Sequence, residues 1–454
     1  MKKNLIYKTS IIAILSLFIS CQSKAEKQQI KKEIATKQNA TIINNQFVKT
    51  EIEKNQNKLK EYIQKMPLEQ KVAQLFIENL EGNTKFRSYE TYDKITGKKE
   101  HSNIPIVAGG YIYFSYNLCQ TPEQQIAFAS SIYEYCNSNN QIYPFLAIDQ
   151  EGGFVNRLRK LTGGLPSQQK VSQEYSVEQA YDLYKDQAQK MSALGFHMNI
   201  APVIEISTDF NNEFLSDRSF GNYSQVVNYG RACINAYETN KIATVVKHFP
   251  GNTNTDPHVG LPVIELSKDE LEDFILSFKT LLEYNPTSIL MSHAISSAID
   301  NGVPACLSKV WITDILRKDY NYKGIIFSDD IFMAALAKNG YPPEKAAVMA
   351  IEAGVDCIMI SEKRFANAAA AIIKEALREP AFEAKINKSV KRILKYKLQC
   401  GLLKYVNNDD GSFSIEFNNP FEDINTREAI FNSARRKNID LYIDYFAIPS
   451  KVKL

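Results

Sequence analysis

Eight short apolar runs, each followed by a stretch of helical periodicity, constrain this chain more than any other feature of its sequence. They are QLFIEN from Gln74, YIYFSYN from Tyr111, FLAIDQE from Phe145, HMNIAPV from His197, IATVVKH from Ile242, SILMSH from Ser288, GIIFSDD from Gly324 and DCIMIS from Asp356. Runs this short and this continuously apolar read as strands buried on both faces, the mark of a parallel sheet covered by helices. The helical stretches open on capping residues: Thr121 before PEQQIAFASSIYEY, Ser176 before VEQAYDLYKDQAQKMSALG, Ser267 before KDELEDFILSFKTLLEY and Ser308 before KVWITDILRK. A doubly wound open sheet gives the same alternation. The count of eight favours an α/β fold of the (β/α)8, TIM-type barrel class, and so does the position of the polar residues.

Those polar residues close the runs. Asp149 and Glu151 end the third, Lys247 and His248 the fifth, His293 the sixth, Asp329 and Asp330 the seventh, and Ser361 the eighth. In a barrel the C-terminal strand ends converge on one face, where catalytic groups are built. Residues serving only as caps would scatter to both ends. The richest stretch is KHFPGNTNTDPH, from Lys247 to His258, which sets two of the five histidines beside a lysine and an aspartate. A histidine two residues from an aspartate suits a proton-transfer group and its orienter, because imidazole titrates near neutral pH.

The 454 residues, 44% hydrophobic and 23% charged, suffice for one large core with appendages. Net charge is only +3, with no basic stripe interleaved with aromatics beyond the N-terminal region, so nothing points to nucleic acid. Residues 1–21 read as an export signal: Lys2, Lys3 and Lys8 precede the apolar Ile11 to Ile19, too short to span a bilayer. Its end at Ser20-Cys21 resembles a bacterial lipoprotein signal, with Phe18 where Leu is usual. That resemblance implies lipidation of Cys21 and a membrane-anchored, exported protein on the periplasmic or cell-surface side. Residues 22–57, rich in Lys, Gln, Asn and Glu, read as a flexible tether. The barrel then occupies residues 58–400. Residues 401–454 form a C-terminal extension too short for a second domain, with YVNNDDGSFSIEFNNPFEDIN breaking the helical pattern and Thr426 to Leu454 offering one helix and one strand. Cys119, Cys136, Cys233, Cys306, Cys357 and Cys400 form no CxxC pair and often have apolar neighbours, so most read as small buried residues.

AIDQEGGFVNRL, MNIAPVIEI, RSFG, KHFPG, DPH followed by GLP, MSHA and FSDDIFM occur in this order. Together they resemble the N-terminal catalytic domain of glycoside hydrolase family 3, in its β-N-acetylglucosaminidase (β-N-acetylhexosaminidase) branch, over about Glu61 to Gln399. The resemblance implies an enzyme that removes terminal N-acetylglucosamine with retention, through a covalent glycosyl-enzyme intermediate, using neither metal nor cofactor. Position by position, Asp329 is then the nucleophile, with Asp330 an orienter or cap. Asp256 and His258 are the acid/base pair on a loop after the fifth strand, in place of the second carboxylate that most retaining glycosidases use. Asp149, Arg218, Lys247 and His248 match positions that grip the sugar hydroxyls, and His293 reads either as lining the same pocket or as a core histidine. Such a set of charged groups suits a neutral, polar sugar. Export points to peptidoglycan fragments or other extracellular glycans as substrate.

The chain also departs from the family. The usual motif after KHFPG is HGD, several residues, then DSH; here the loop is two residues shorter, Asn252 replaces a histidine, Thr253 a glycine and Asn254 an aspartate. Pro257 lies inside the acid/base pair and restricts the backbone of Asp256. Glu205 stands where Asp is usual, and Phe154 where Arg is frequent. Two other readings compete. One is an exported sugar-binding lipoprotein that has lost turnover, which the shortened loop favours. The other is a metal-dependent barrel hydrolase using His248 and His293, against which stand the missing HxH on the first strand and Asp on the eighth. His101 and His197 have no comparable context, and His197, inside an apolar run, reads as a core residue. The isomer of the Phe249-Pro250 bond is left open.

Overall fold

The computed structural model describes residue 55 and residues 57–257, 259–409 and 412–421. The signal segment, Cys21, nearly all of the tether, His258 and Thr426 to Leu454 lie outside these. The chain divides into two compact units, Met1–Glu61 and Tyr62–Leu454. In the first, residues 57–61 are helical. Among the described residues no helix is long and apolar enough to cross a membrane.

In the second unit each of the eight apolar runs yields one strand: β1 Phe76–Asn79, β2 Gly110–Tyr113, β3 Phe145–Ile148, β4 Met198–Asn199, β5 Ala243–Phe249, β6 Ser288–Met291, β7 Ile325–Phe327 and β8 Ile358–Ile360. They pair in parallel in the order β7-β6-β5-β4-β3-β2-β1-β8. A parallel bridge between Phe327 and Cys357 joins β7 to the segment entering β8 and closes the ring. This is the TIM-type α/β barrel. Its strands are largely apolar because inward side chains fill the centre and outward ones meet helices; the Phe145 and Phe327 rings, for example, meet edge-on at 6.4 Å.

Capping residues start the helices as the sequence suggests. Thr121 accepts the Gln124 amide, and Ser176 and Ser267 form capping boxes with Gln179 and Glu270. Two helices differ from expectation. The one after Ser267 is interrupted at Ile275, giving Lys268–Phe274 and Leu276–Leu282. The one after Ser308, Val310–Asp319, is wound wider than an α-helix, and the Tyr320 amide bonds the Ile315 carbonyl.

Where the sequence suggests only a break after Gln399, an antiparallel hairpin forms from β9 Leu403–Asn407 and β10 Phe413–Phe417. Its signal was the alternation of Phe413, Ile415 and Phe417 with polar residues. Phe417 stacks on Tyr143 at 5.1 Å, and the Phe421 ring lies where a Cβ on Gly195 would come within 2.2 Å of it. Tyr143 and Gly195 precede β3 and β4, so the extension packs under the N-terminal end of the barrel, opposite the predicted site. The described cysteines are all free thiols, five of six buried. His197 is a core residue, 7% exposed, its Nδ1 accepting the Leu146 amide at 3.3 Å.

That N-terminal end holds an unusual cation. Lys397, in the helix Pro380–Gln399, is fully buried and donates to Gln74 Oε1 at 2.6 Å. Burial pushes its ammonium down to about 7, against a smaller opposing pull from Cys400, Cys136 and Cys357. An unfolded lysine stays protonated up to pH ~10, so between these limits the unfolded chain binds more protons and folding stability rises with pH. We therefore expect the denaturation midpoint of the wild type, relative to that of Lys397→Met, to climb from about pH 7 towards pH ~10. A difference independent of pH across that window would show that burial does not depress Lys397.

Candidate active site

The polar residues gather on the C-terminal face of the barrel. Asp149 ends β3, and Glu151 follows in a small hairpin, Gln150–Gly152 paired with Val155–Asn156. Strand β5 continues to Phe249, so Lys247 and His248 belong to the strand itself. Lys247 Nζ lies 2.6 Å from Asp149 Oδ1 and 2.5 Å from Glu151 Oε1. Arg218, from the turn Ser216–Arg218, forks onto Glu151 with Nε at 2.8 Å and Nη2 at 3.0 Å. Arg157 Nη2 stands 3.6 Å from Asp149 Oδ2. Cations and carboxylates thus alternate across the floor of the site. Burial by itself would raise the Glu151 carboxyl, but Lys247 and Arg218 hold it well below the usual carboxylate range. Burial likewise opposes the Arg218 charge, yet Glu151 overrides it and raises the guanidinium. Asp149 and Arg218 remain part-exposed and keep edges open to a ligand.

A second network fixes His248. Its Nδ1 lies 2.7 Å from Glu205 Oε1, and the same carboxylate accepts the amides of His248 at 3.2 Å and Asn252 at 2.7 Å, together with Asn252 Nδ2. Glu205 is 1% exposed. With Nδ1 held, Nε2 is the ring nitrogen left for a ligand. Glu205 and Asn252, two separate departures from the family pattern, are therefore partners: a longer acid meets a shorter amide. Asn254 also anchors the loop, its Oδ1 accepting the Glu213 amide at 2.9 Å and its Nδ2 reaching the Asp209 carbonyl at 3.0 Å. The Lys247-His248, Phe249-Pro250 and Ala201-Pro202 peptides are cis.

At the end of β7, Asp329 is half-buried, and its Oδ1 accepts the Asp330 amide at 2.8 Å. Asp330 does not cap the next helix, which starts from Met333 without a side-chain cap; its Oδ1 accepts the amides of Phe332 at 3.0 Å and Ser361 at 3.1 Å, tying the ends of β7 and β8 together. Burial raises its carboxyl. His293 is fully buried, with Nδ1 3.2 Å from Cys306 Sγ and Nε2 3.1 Å from the Asp330 carbonyl, so both nitrogens meet protein partners beneath the β7 turn. Asp256 is exposed, and its carbonyl accepts the amides of Val259 at 3.0 Å and Gly260 at 3.1 Å. His258 itself lies outside the described residues. Phe154 is 91% exposed at the tip of the small hairpin.

Glu151, Glu205, Asn252 and Arg157 are the members of these networks that the sequence did not single out as site residues. For Glu151 a signal was present, since two cations, part-exposed Arg218 and buried Lys247, need more than the single charge of Asp149. Among the described residues no three His, Cys, Asp or Glu side chains are grouped to hold a metal ion.

The chain resembles known proteins over the same span. The family model described as the glycosyl hydrolase family 3 N-terminal domain matches residues 67–396. A beta-hexosaminidase of Alkalilimnicola ehrlichii is 32% identical over 263 residues, covering 56% of this chain and 73% of that protein. Beta-hexosaminidase A of Pseudoalteromonas piscicida is 28% identical over 277 residues, and there the chain spans only 45% of its relative. Among solved structures, a family 3 β-N-acetylglucosaminidase from Paenibacillus sp. str. FPU-7 superposes with a TM-score of 0.64 at 28% identity, over 74% of this chain and 63% of that one.

Proposed function

The chain belongs to glycosyl hydrolase family 3, and from that premise we propose that it is a retaining, exo-acting β-N-acetylglucosaminidase with Asp329 as nucleophile and His258 with Asp256 as acid/base pair. The observation that carries this reading is the linked set Asp149, Lys247, Glu151 and Arg218 on the barrel face to which β7 also delivers Asp329. Charged donors and acceptors held rigidly by one another, with exposed edges, suit a ring of neutral hydroxyls. Asp149, Arg218, Lys247 and His248 grip the terminal sugar. Asp329 attacks the anomeric carbon and forms the glycosyl ester, while His258 gives its proton to the departing oxygen. His258 then takes a proton from water, which cleaves the ester. The substrates are N-acetylglucosamine-ended peptidoglycan fragments or other glycans, met outside the cytoplasm by a protein anchored through lipidated Cys21.

Hydrolysis assays across aryl N-acetylglucosaminides, glucosides and muropeptide fragments test this reading, and N-acetylglucosaminides should be cleaved best. Sugar binding without turnover of any of them would favour the binding-protein reading. In His258→Ala, substrates with poor leaving groups should slow by ~10²-fold or more while activated aryl glycosides slow far less, because only the former need a proton in the transition state. Equal slowing of both would make His258 a structural residue.

A further inference from the structure

A glycan occupies both sides of the bond to be broken, and the residues described so far hold only one. From Asp149 a line of contacts runs outward along the loops after β2, β3 and β8. Arg157, 3.6 Å from Asp149, lies over the Phe114 ring at 5.3 Å. Phe114 is parallel to Tyr116, with centroids 6.0 Å apart and planes 6° from one another. Lys363, paired with Glu81 at 2.8 Å, stands over the Tyr116 ring at 5.6 Å. Tyr116 is 53% exposed. An exposed ring alone would mean little, but this one is held. Fully buried Asn117 accepts the Phe114 amide at 2.9 Å and donates to the Leu80 and Gly82 carbonyls at 3.0 Å each, so the turn carrying both rings is tied to the loop after β1. The Tyr116 hydroxyl accepts a hydrogen bond from Asn79 Nδ2. Beside the shelf, Asn79 Oδ1, on a residue 6% exposed, and Arg157 Nε have no hydrogen-bond partner among the described residues. A fixed aromatic face bordered by the Arg157 and Lys363 cations, and continuous with Asp149, suits a ring that is apolar on its face and polar at its edge.

We propose that the Tyr116–Phe114 shelf is the leaving-group subsite. It takes the pyranose ring on the reducing side of the scissile bond, with the apolar face on Tyr116 and the hydroxyls towards Arg157 and Lys363. This rests on the β-N-acetylglucosaminidase reading. Steady-state kinetics of wild type, Tyr116→Ala and Tyr116→Phe on chitobiose and on methyl β-N-acetylglucosaminide test it, since only chitobiose carries a ring beyond the bond. Tyr116→Ala should raise KM for chitobiose about fivefold to tenfold more than KM for the methyl glycoside, and Tyr116→Phe should retain most of the wild-type preference. An equal rise for both substrates, or none for chitobiose, overturns the proposal. Should the wild type cleave neither substrate, the activity assignment fails and calorimetry reads the subsite directly. Chitobiose binding more tightly than N-acetylglucosamine, by a margin that Tyr116→Ala removes, then supports it, and equal affinities overturn it.

Discussion

Asp329→Ala is expected to abolish turnover of chromogenic N-acetylglucosaminides, lowering kcat/KM by ~10⁴-fold or more, with the fold left intact. The separation of chemistry from folding follows from the geometry at the end of β7. Among the described residues the Asp329 carboxylate accepts a hydrogen bond from the amide of its own neighbour, and the residue is half-buried. Truncating it therefore strands little inside the protein. Asp330 is the opposite case, because its carboxylate joins the ends of β7 and β8, and its removal would damage the barrel whatever its part in catalysis. Circular dichroism and the denaturation midpoint of Asp329→Ala should stay close to wild type while activity disappears. Added azide, a small nucleophile able to occupy the vacated space, should restore turnover with inverted configuration, as loss of a retaining nucleophile requires. A variant that keeps its activity would remove Asp329 from the reaction and the retaining mechanism with it.

The fold was legible because a strand buried on both faces needs only apolar continuity, and all eight runs had it. The polar residues closing those runs likewise told which end of the barrel carries chemistry. What stayed hidden depends on distance through the chain. Glu205 and Asn252 are 47 residues apart and carry no shared local pattern. They meet because β4 and β5 run parallel and the bridge between Val203 and Lys247 extends that pairing to the site. The same geometry makes Glu205 the partner of His248. His293 shows the converse. A histidine at a strand end reads equally as a pocket residue or a core one, and the partners that engage both its nitrogens, Cys306 and the Asp330 carbonyl, are not visible from the motif. The hairpin β9–β10 was missed for a simpler reason. Its alternation is short and follows a long helical pattern, so the change of period passed for a break.

Glu151→Gln should be the most destabilising single change in the site, costing about 3–5 kcal/mol, because it breaks a buried ion pair without removing the cations. Glutamine keeps the shape of glutamate and loses only its charge. Lys247, 3% exposed, would then keep Asp149 as its counter-charge, and Arg218 would keep Glu205 and Asp149. The pH dependence separates this cause from simple misfit. The Glu151 carboxyl is held below its unfolded value, so the stability it contributes is fully present above pH ~4.3 and is lost as pH falls from there through the depressed folded value. The difference in denaturant midpoint between wild type and Glu151→Gln should accordingly be constant from neutral pH down to pH ~4.3 and shrink below it. A difference that persists unchanged in acid would mean that the substituted glutamine merely packs badly and that Lys247 and Arg218 do not depend on this charge. If the pairing holds, KM for N-acetylglucosaminides should rise in the variant as well. The two cations that grip the sugar are aimed by Glu151, and freed of it they turn towards Asp149 or solvent, so loss of stability and loss of substrate affinity have one origin.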